Sequence, residues 1–533
     1  MTEHRHRGPT RRALMAAALP AGLITLAEAR AQDSESQRGG TLTTLLTPEP
    51  PGLVPGVNNL APTLLVAGKI FQGLLKFSPE LEPLAELAAS WQLSDDRLTY
   101  TFHLQSGVTW HDGTPFTADD VIFSVMQFHR TLSPRAGVLF AAIREATAPD
   151  PLTVRFTLDA PFNPFLLMFD ATAAAMVPKH LYDGTDYRAN PANQRPVGTG
   201  PFQFVAWQRG NFIRLRRYDA YWKPGQPGLD EIIYRIVPDS QRRALALESG
   251  QVQLAAAHDI EPFDVPRLRT MPDLMVNNGG WEYLAPLSWI ELNHRVKPLD
   301  DVRVRLAISH AIDRSVIVNR LWFGAGKAAT SPIASGTRFF DPSVKLPAYD
   351  PRLAATLLNG AGLLAGADGV RFSLRHLVAP YGEVWTRLSA YLRASLARVG
   401  IDLRLETTDA AAWAARIAAW DYDTSVSFAY QYGDPTLGVE RSYVSDNIRN
   451  VAFANTGGYV NRRVDALFAR ARLATDPNQR QAAFSAVQKV LAADVPQIWL
   501  MEMAFPAIHA RRLHDAVRLG TGVHACFDDV SLG

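Results

Sequence analysis

Between residues 384 and 405 the hydrophobic period of the sequence changes across a single glycine. Leu388, Leu392 and Leu396 recur at helical spacing, Gly400 supplies a left-handed stop, and Ile401-Asp402-Leu403-Arg404-Leu405 then alternates apolar with polar residues. A helix with one apolar stripe, followed at once by a strand, has to lay that stripe on the sheet the strand joins. The unit therefore commits this part of the chain to packed layers of helix and sheet.

The same mixture runs to both ends. Residues 41–46 read as a strand, after which Pro48, Pro50, Pro51, Gly52 and Pro55 force a loop. In residues 98–104, Leu98, Tyr100, Phe102 and Leu104 share one face and Thr99, Thr101 and His103 the other, a half-buried strand. Asp112-Gly113 marks a tight turn, and Thr117 with Asp120 three residues on caps a helix whose stripe is Val121, Val125 and Phe128. Residues 154–158 and 232–237 read as further strands. Asp300 or Asp301 caps a helix that the positions Val302, Leu306, Ala307, Ala311 and Val318 extend to about Leu321, with Gly324 beyond. Two late helices, 461–473 and 478–491, are split at Asp476-Pro477. No repeat or low-complexity block follows residue 40. At roughly 100 to 200 residues per domain, 533 residues predict two to four domains. A 47% apolar, 20% charged composition excludes wholesale disorder.

Residues 1–12 carry Arg5, Arg7, Arg11 and Arg12, and a largely apolar run over residues 13–27 follows. Fifteen residues rise about 22 Å as a helix, too short for a hydrocarbon core of roughly 30 Å. With Ala29-Arg30-Ala31 closing the run, the segment reads as a cleaved export signal that leaves Gln32 first. Thr10-Arg11-Arg12-Ala13-Leu14 resembles a twin-arginine signal, with the Sec route as the alternative. No cysteine stands at the cleavage site and no later run of 18 apolar residues occurs, so the mature form is expected in the periplasm without a membrane anchor. Cleavage also revises the charge. The chain has 54 basic and 52 acidic side chains, and removing five arginines and two glutamates leaves 49 against 50. The basic balance belongs to the signal, and no basic stripe interleaved with aromatics remains to hold nucleic acid.

Catalytic signatures are missing. The chain has no Gly-x-Ser-x-Gly elbow, no His-Glu-x-x-His pair, no phosphate loop and no Gly-x-Gly-x-x-Gly. His111-Asp112 sits at a glycine turn, where sequence neighbours point different ways. His103, His129 and His180 lack ligand spacing, and Cys526, the only cysteine, reads as a buried free thiol. No enzyme activity, metal or cofactor is expected.

Several blocks then follow in one order. Gly39-Gly40-Thr41-Leu42 and Phe71-Gln72-Gly73-Leu74-Leu75 come first, then residues 94–104, Gly107-Val108 and the run His111-Asp112-Gly113-Thr114-Pro115-Phe116-Thr117-Ala118-Asp119-Asp120-Val121. Gly198-Thr199-Gly200-Pro201-Phe202 with Trp207, Tyr218, Tyr221 and Trp222 is next, before Leu229-Asp230, Ile236-Val237-Pro238-Asp239 and Leu247-Glu248-Ser249-Gly250. Asp301-Val302-Arg303-Val304-Arg305 and His310-Ala311-Ile312-Asp313-Arg314 complete the set. Over residues 39–515 this resembles the large extracytoplasmic solute-binding proteins of family 5, the peptide, nickel and opine receptors of ABC importers. The resemblance implies an α/β, bilobed periplasmic-binding-protein-like fold with an extra subdomain inserted in the first lobe. It implies a first lobe from residues 32–70, 180–284 and 503–533, a subdomain at 71–179, a second lobe at 285–502, and Phe71 to Leu75 in a first helix. It further implies a monomer that binds a peptide or peptide-like solute between closing lobes and delivers it to an ABC permease and ATPase. Alternatives are an opine, oligosaccharide or metal-chelate receptor, an exported hydrolase, and a chaperone or sensor on the same fold.

Peptide-binding members of the family carry an acid four residues before the proline of an Asp-Pro or Glu-Pro pair, where it holds the ligand's amino terminus. Asp434-Pro435 places that position at Gln431, which is neutral, so free dipeptides are expected to bind poorly unless Asp434 or Glu49 substitutes. Gln431→Asp is expected to improve ligands with a free amine. Trp281, Tyr283, Trp385, Trp413 and Tyr430 are candidate stacking walls, and Arg338 a candidate carboxylate fork.

Overall fold

The computed structural model describes residues 39–256 and 258–533, so the export segment read from residues 1–31 lies outside the described residues. Three sheets organise the rest. The first has seven strands in the order Leu274–Asn277, Ala507–Ala510, Leu254–Ala255, Thr41–Leu46, Glu231–Ile236, Phe212–Arg217 and Phe202–Gln208. Its middle is parallel, with Leu42 opposite Ile232 and Thr44 opposite both Tyr234 and Leu254, and its flanks are antiparallel. The second has six strands, Gly326–Ala328, Gln497–Met503, Leu287–Leu292, Thr424–Ala429, Phe372–Leu377 and Ile401–Glu406. A four-stranded antiparallel sheet of Ala88–Leu93, Thr99–Leu104, Thr153–Leu158 and Ile143–Asp150 stands apart in the chain between the first and second strands of the seven-stranded sheet.

Local chemistry explains most boundaries. In Thr99–Leu104, Tyr100, Phe102 and Leu104 are buried while the alternate residues are half-exposed. Thr117 and Asp120 close a reciprocal capping box at Ala118–Phe123. The helix Glu383–Ala397 buries Leu388, Leu392 and Leu396, and Gly400 at φ 82° turns the chain into the strand Ile401–Glu406. Gln497–Met503 and Leu287–Leu292 are buried along their whole length, as central strands covered on both faces are.

Three expectations change. The helix drawn from residue 301 to about Leu321 is broken. Val302–His310, capped by Asp301, ends at Ala311, and Asp313 caps a new start at Arg314–Val316 by accepting from the Ser315 amide. Phe71 to Leu75 is not helical: the helix is Ala61–Ile70, and Phe71 leaves it in extended conformation toward the strand Leu75–Phe77. Asp476-Pro477 does more than separate two helices, because Asp476 caps Pro477–Asp494 through the amides of Asn478 and Gln479. Among the described residues, no helix is long and apolar enough to cross a membrane.

Candidate ligand cleft

The chain passes from the seven-stranded to the six-stranded sheet between Asn277 and Leu287, and returns between Met503 and Ala507. These two crossings are fastened to each other. Trp281 donates its indole N–H to the Phe505 carbonyl at 2.8 Å, and the Met503 amide donates to the Pro286 carbonyl at 2.9 Å. Gly280, at φ 80°, lies so close to the Gly522 backbone that a Cβ would stand 2.5 Å from the Gly522 Cα, so this approach requires glycine.

Aromatic side chains line the space beside the crossings. Trp281 stacks on Tyr430 (centroids 6.4 Å apart, planes at 23°), and Phe428 stacks on Trp385 (5.5 Å, 23°). Tyr381 touches Trp385, Trp413 and Phe428 edge-on, and Phe428 meets Tyr430 in the same way. The elements explain the cluster. Phe372–Leu377 and Thr424–Ala429 are parallel, with Leu377 opposite Ser425. The loops after their carboxyl ends carry Tyr381 and Tyr430 to Asp434, the position at which open α/β sheets present ligand sites.

From the loop that follows Leu254–Ala255 of the other sheet come His258, Ile260 and Glu261. With Trp322, Tyr381, Trp385 and Phe505 they surround a cavity of about 40 Å³. That is room for a few waters at most, so entry of a solute needs the walls to part. The His258 ring lies 4.1 Å from Phe505, and burial pulls its pKa down to about 4. Burial also raises the Glu261 carboxyl above its ordinary range. Arg387 sits over the Phe263 ring at 5.2 Å. Further along, Arg338 donates to the Leu81 carbonyl at 2.9 Å and Tyr283 donates its hydroxyl to the Leu167 carbonyl. Arg338 thus ties the six-stranded part to the segment ahead of the four-stranded sheet, and Tyr283 ties the first crossing to the segment that follows it.

The residues singled out in the sequence divide into three groups. Trp281, Trp385 and Tyr430 are brought together in the aromatic wall. Tyr283 and Trp413 stand behind it: Tyr283 is fully buried against Phe77, and Trp413 donates to the Ser425 hydroxyl at 3.2 Å. The polar candidates are committed elsewhere. The Gln431 carbonyl oxygen accepts from the Ala334 amide and the Thr337 hydroxyl, both at 2.9 Å, and its amide nitrogen donates to the Pro332 carbonyl at 3.3 Å. This side chain therefore staples the 332–337 loop, which explains why a neutral amide with both donor and acceptor capacity stands here.

Asp434 is engaged inside the protein. It is fully buried, accepts from both terminal nitrogens of Arg480 at 2.8 and 2.9 Å, and caps Pro435–Gly438. Glu49 is likewise engaged. It accepts from the Trp207 indole at 2.8 Å and from the Gly210 amide, at the tip of the hairpin Phe202–Gln208 and Phe212–Arg217. Arg338 gives one terminal nitrogen to the Leu81 carbonyl. Asp112, read as no dyad partner of His111, accepts instead from His180, 2.7 Å away. Sequence reasoning missed His258, Trp322, Tyr381, Phe428 and Phe505. One signal was available: Phe428, Tyr430 and Tyr432 follow each other at a period of two, continuing the strand pattern past its end.

Residues 82–450 match the family described as bacterial extracellular solute-binding proteins, family 5 Middle. The chain is 30% identical over 516 residues to a glutathione-binding protein, GsiB, of Pectobacterium atrosepticum, covering 94% of this chain and 95% of that one. Among solved structures it is similar to DppA of Helicobacter pylori in complex with the peptide STSA, at TM-score 0.82 and 25% identity, over 95% of this chain and 99% of that one. It is also similar to AgaA of A. tumefaciens in complex with agropinic acid, at TM-score 0.79 and 25% identity, over 93% and 99% of the two chains.

Proposed function

This chain belongs to the bacterial extracellular solute-binding proteins of family 5, and from that premise we propose that it is an importer receptor whose lobes close on a short peptide or peptide-like solute, glutathione being the first candidate. The observation that carries the reading is the cleft at the two crossings. Its walls come from both sheets: His258 and Glu261 on one side, Trp385, Phe428 and Tyr430 on the other, with Trp281 and Phe505 on the crossings between them. A few backbone dihedrals in two short crossings can absorb a large rotation, which is how hinged receptors open. Bound solute then favours the closed form through contacts that exist only there, and that form is the signal to a permease and its ATPase.

The lobes we assign are residues 32–70, 180–284 and 503–533 for the first, with 71–179 inserted, and 285–502 for the second. Residues 1–31 act as a signal for export to the periplasm, by the twin-arginine route or by Sec, and the mature receptor works as a monomer without cofactor or turnover.

A second reading, a ligand without a free amine such as an opine, is favoured by one observation. Asp434, the acid of the Asp-Pro pair, is paired with Arg480, and Gln431 at the expected amine position is neutral. Calorimetric titration of residues 32–533 with glutathione, dipeptides, tripeptides, opines, oligosaccharides and nickel chelates tests both. Saturable binding of glutathione or a tripeptide, with the solute recovered intact, is expected. Binding confined to opines would replace the first reading with the second, and consumption of any bound solute would sink the receptor reading.

A further inference from the structure

The segment that carries the four-stranded sheet meets the six-stranded part along a seam of its own. Arg338 donates to the Leu81 carbonyl at 2.9 Å, and Asn163 donates its amide to the Ala474 carbonyl at 2.5 Å, two bonds that join residues 257 and 311 positions apart. The Leu81 side chain, only 4% exposed although it belongs to a turn, packs on Gly433, where a Cβ would stand 3.0 Å from it. Arg135 lays its guanidinium 3.7 Å from the centre of the Tyr432 ring. The cavity beside the crossings is lined by other residues.

The backbone along this seam is unusual. Leu81, Tyr432 and Phe339, the neighbour of Arg338, hold left-handed conformations at φ 64°, 53° and 65° without being glycine. Such conformations are unfavourable for a residue with a Cβ and persist where the surroundings over-determine them, as at clamps and switches.

The same segment is fastened far more firmly on its other side. Gln72 donates to the Tyr221 hydroxyl at 3.0 Å and accepts from the Trp222 indole at 3.1 Å, the Tyr218 hydroxyl donates to the Trp110 carbonyl at 2.9 Å, and Lys76 pairs with Asp528 at 3.7 Å. Those partners flank the seven-stranded sheet, so the segment travels with that sheet, and the seam to the six-stranded part is what a rotation about the crossings must open. Both seam bonds are only partly buried, so water replaces them on opening and neither holds the lobes shut by itself.

We propose that this seam is a latch: its contacts form as the lobes close, stabilise the closed form in the absence of solute, and set part of the solute affinity through Asn163 and Arg338, which touch no solute. The latch rests on the hinged-receptor reading for the movement, and on no solute's identity. Its effect follows from population arithmetic, since the apparent dissociation constant is the intrinsic one divided by the closed fraction.

The test is a double variant, Asn163→Asp with Arg338→Met. The aspartate still accepts from Arg97, as Asn163 does, but offers the Ala474 carbonyl no donor, and methionine keeps an apolar stem without the guanidinium. Small-angle X-ray scattering of residues 32–533 without solute should give the double variant a larger radius of gyration than the wild type. Glutathione should bind it roughly 10- to 100-fold more weakly, and at saturation the two proteins should scatter alike. Equal scattering of the two empty proteins overturns the latch, even if affinity falls, because a loss of affinity alone would mean that these side chains touch the solute. Unchanged glutathione affinity overturns it as well. A larger empty variant, with glutathione bound by neither protein, keeps the latch and removes glutathione as the solute. Circular dichroism confirms folding. The single variants carry the same comparison if the double one fails to fold, and Arg338→Lys, which keeps a donor for the Leu81 carbonyl, should lie between wild type and Arg338→Met in both readouts.

Discussion

Asp434 and Gln431 are three residues apart, both buried, and both consumed within the protein. Asp434→Ala would leave the Arg480 guanidinium buried beside Phe339 and Phe484 with no counter-charge. Loss of one partner of such a pair costs about 3–5 kcal/mol, which urea denaturation should register as a lower midpoint at unchanged slope. Gln431→Ala strands the Ala334 amide and the Thr337 hydroxyl, for a loss of about 1–3 kcal/mol by the same measurement. Stability close to wild type would show, for Asp434→Ala, that the Arg480 charge is met elsewhere and, for Gln431→Ala, that the loop 332–337 is held by something else. Gln431→Asp is now expected to loosen that loop before it serves any amine. Residue types alone exposed the anomaly at 431, because a neutral side chain in an acid's place is visible in the sequence. They could not disclose its partners, which lie about a hundred positions upstream. The same holds for Asp434, whose ion pair spans 46 residues.

Some helix starts were legible because a side chain within three residues does the work. Thr117 with Asp120 is one instance, and Asn461, which caps Arg462–Leu473 through the amides of Arg463 and Val464, is another. The failure at Asp313 is instructive, for the apolar spacing across residues 302–318 continues through a break that only the cap reveals. Asp313→Ala should therefore cost about 0.5–2 kcal/mol and lower the melting temperature by a few degrees, whereas Ala311→Glu, at the break itself, buries a charge and should cost more. A thermal scan of the two variants checks the order. An Asp313→Ala protein that melts with the wild type would mean that packing against Tyr391, whose hydroxyl donates to the Asp313 carbonyl, fixes the turn without the cap.

At the scale of the whole molecule, the closed cleft sets a pH dependence. Burial against Phe505 and Phe428 lowers the His258 pKa from its ordinary 6.5 to about 4, so the closed form prefers the neutral ring. Closure carries no penalty from this group above pH 6.5 and acquires one progressively as the pH falls toward 4. Glu261, with its pKa raised, works in the opposite direction, since acid relieves the cost of burying its charge; Glu383, Arg387 and Arg243 also act on it. The difference between wild type and His258→Asn isolates the histidine. Solute affinity in the wild type should weaken by roughly 10-fold more than in the variant between pH 7 and pH 5. Parallel profiles would place His258 outside the closing movement. Neither the histidine nor Phe505 carried any signature in the sequence, because a cleft is made by crossings that join residues more than two hundred positions apart.

The order of strands in the seven-stranded sheet has a further consequence for how the protein is made. Ala507–Ala510 is threaded between Leu254–Ala255 and Leu274–Asn277, so the sheet that begins with Thr41–Leu46 has a gap until Ala507–Ala510 has left the ribosome. The strands of the six-stranded sheet all fall between Leu287 and Met503 and face no such delay. During synthesis the sheet begun first is therefore the sheet completed last. Over most of that interval its unpaired strand edges are exposed to chaperones and proteases, and a chain released before Ala507–Ala510 is made should be cleared by the cell and never accumulate.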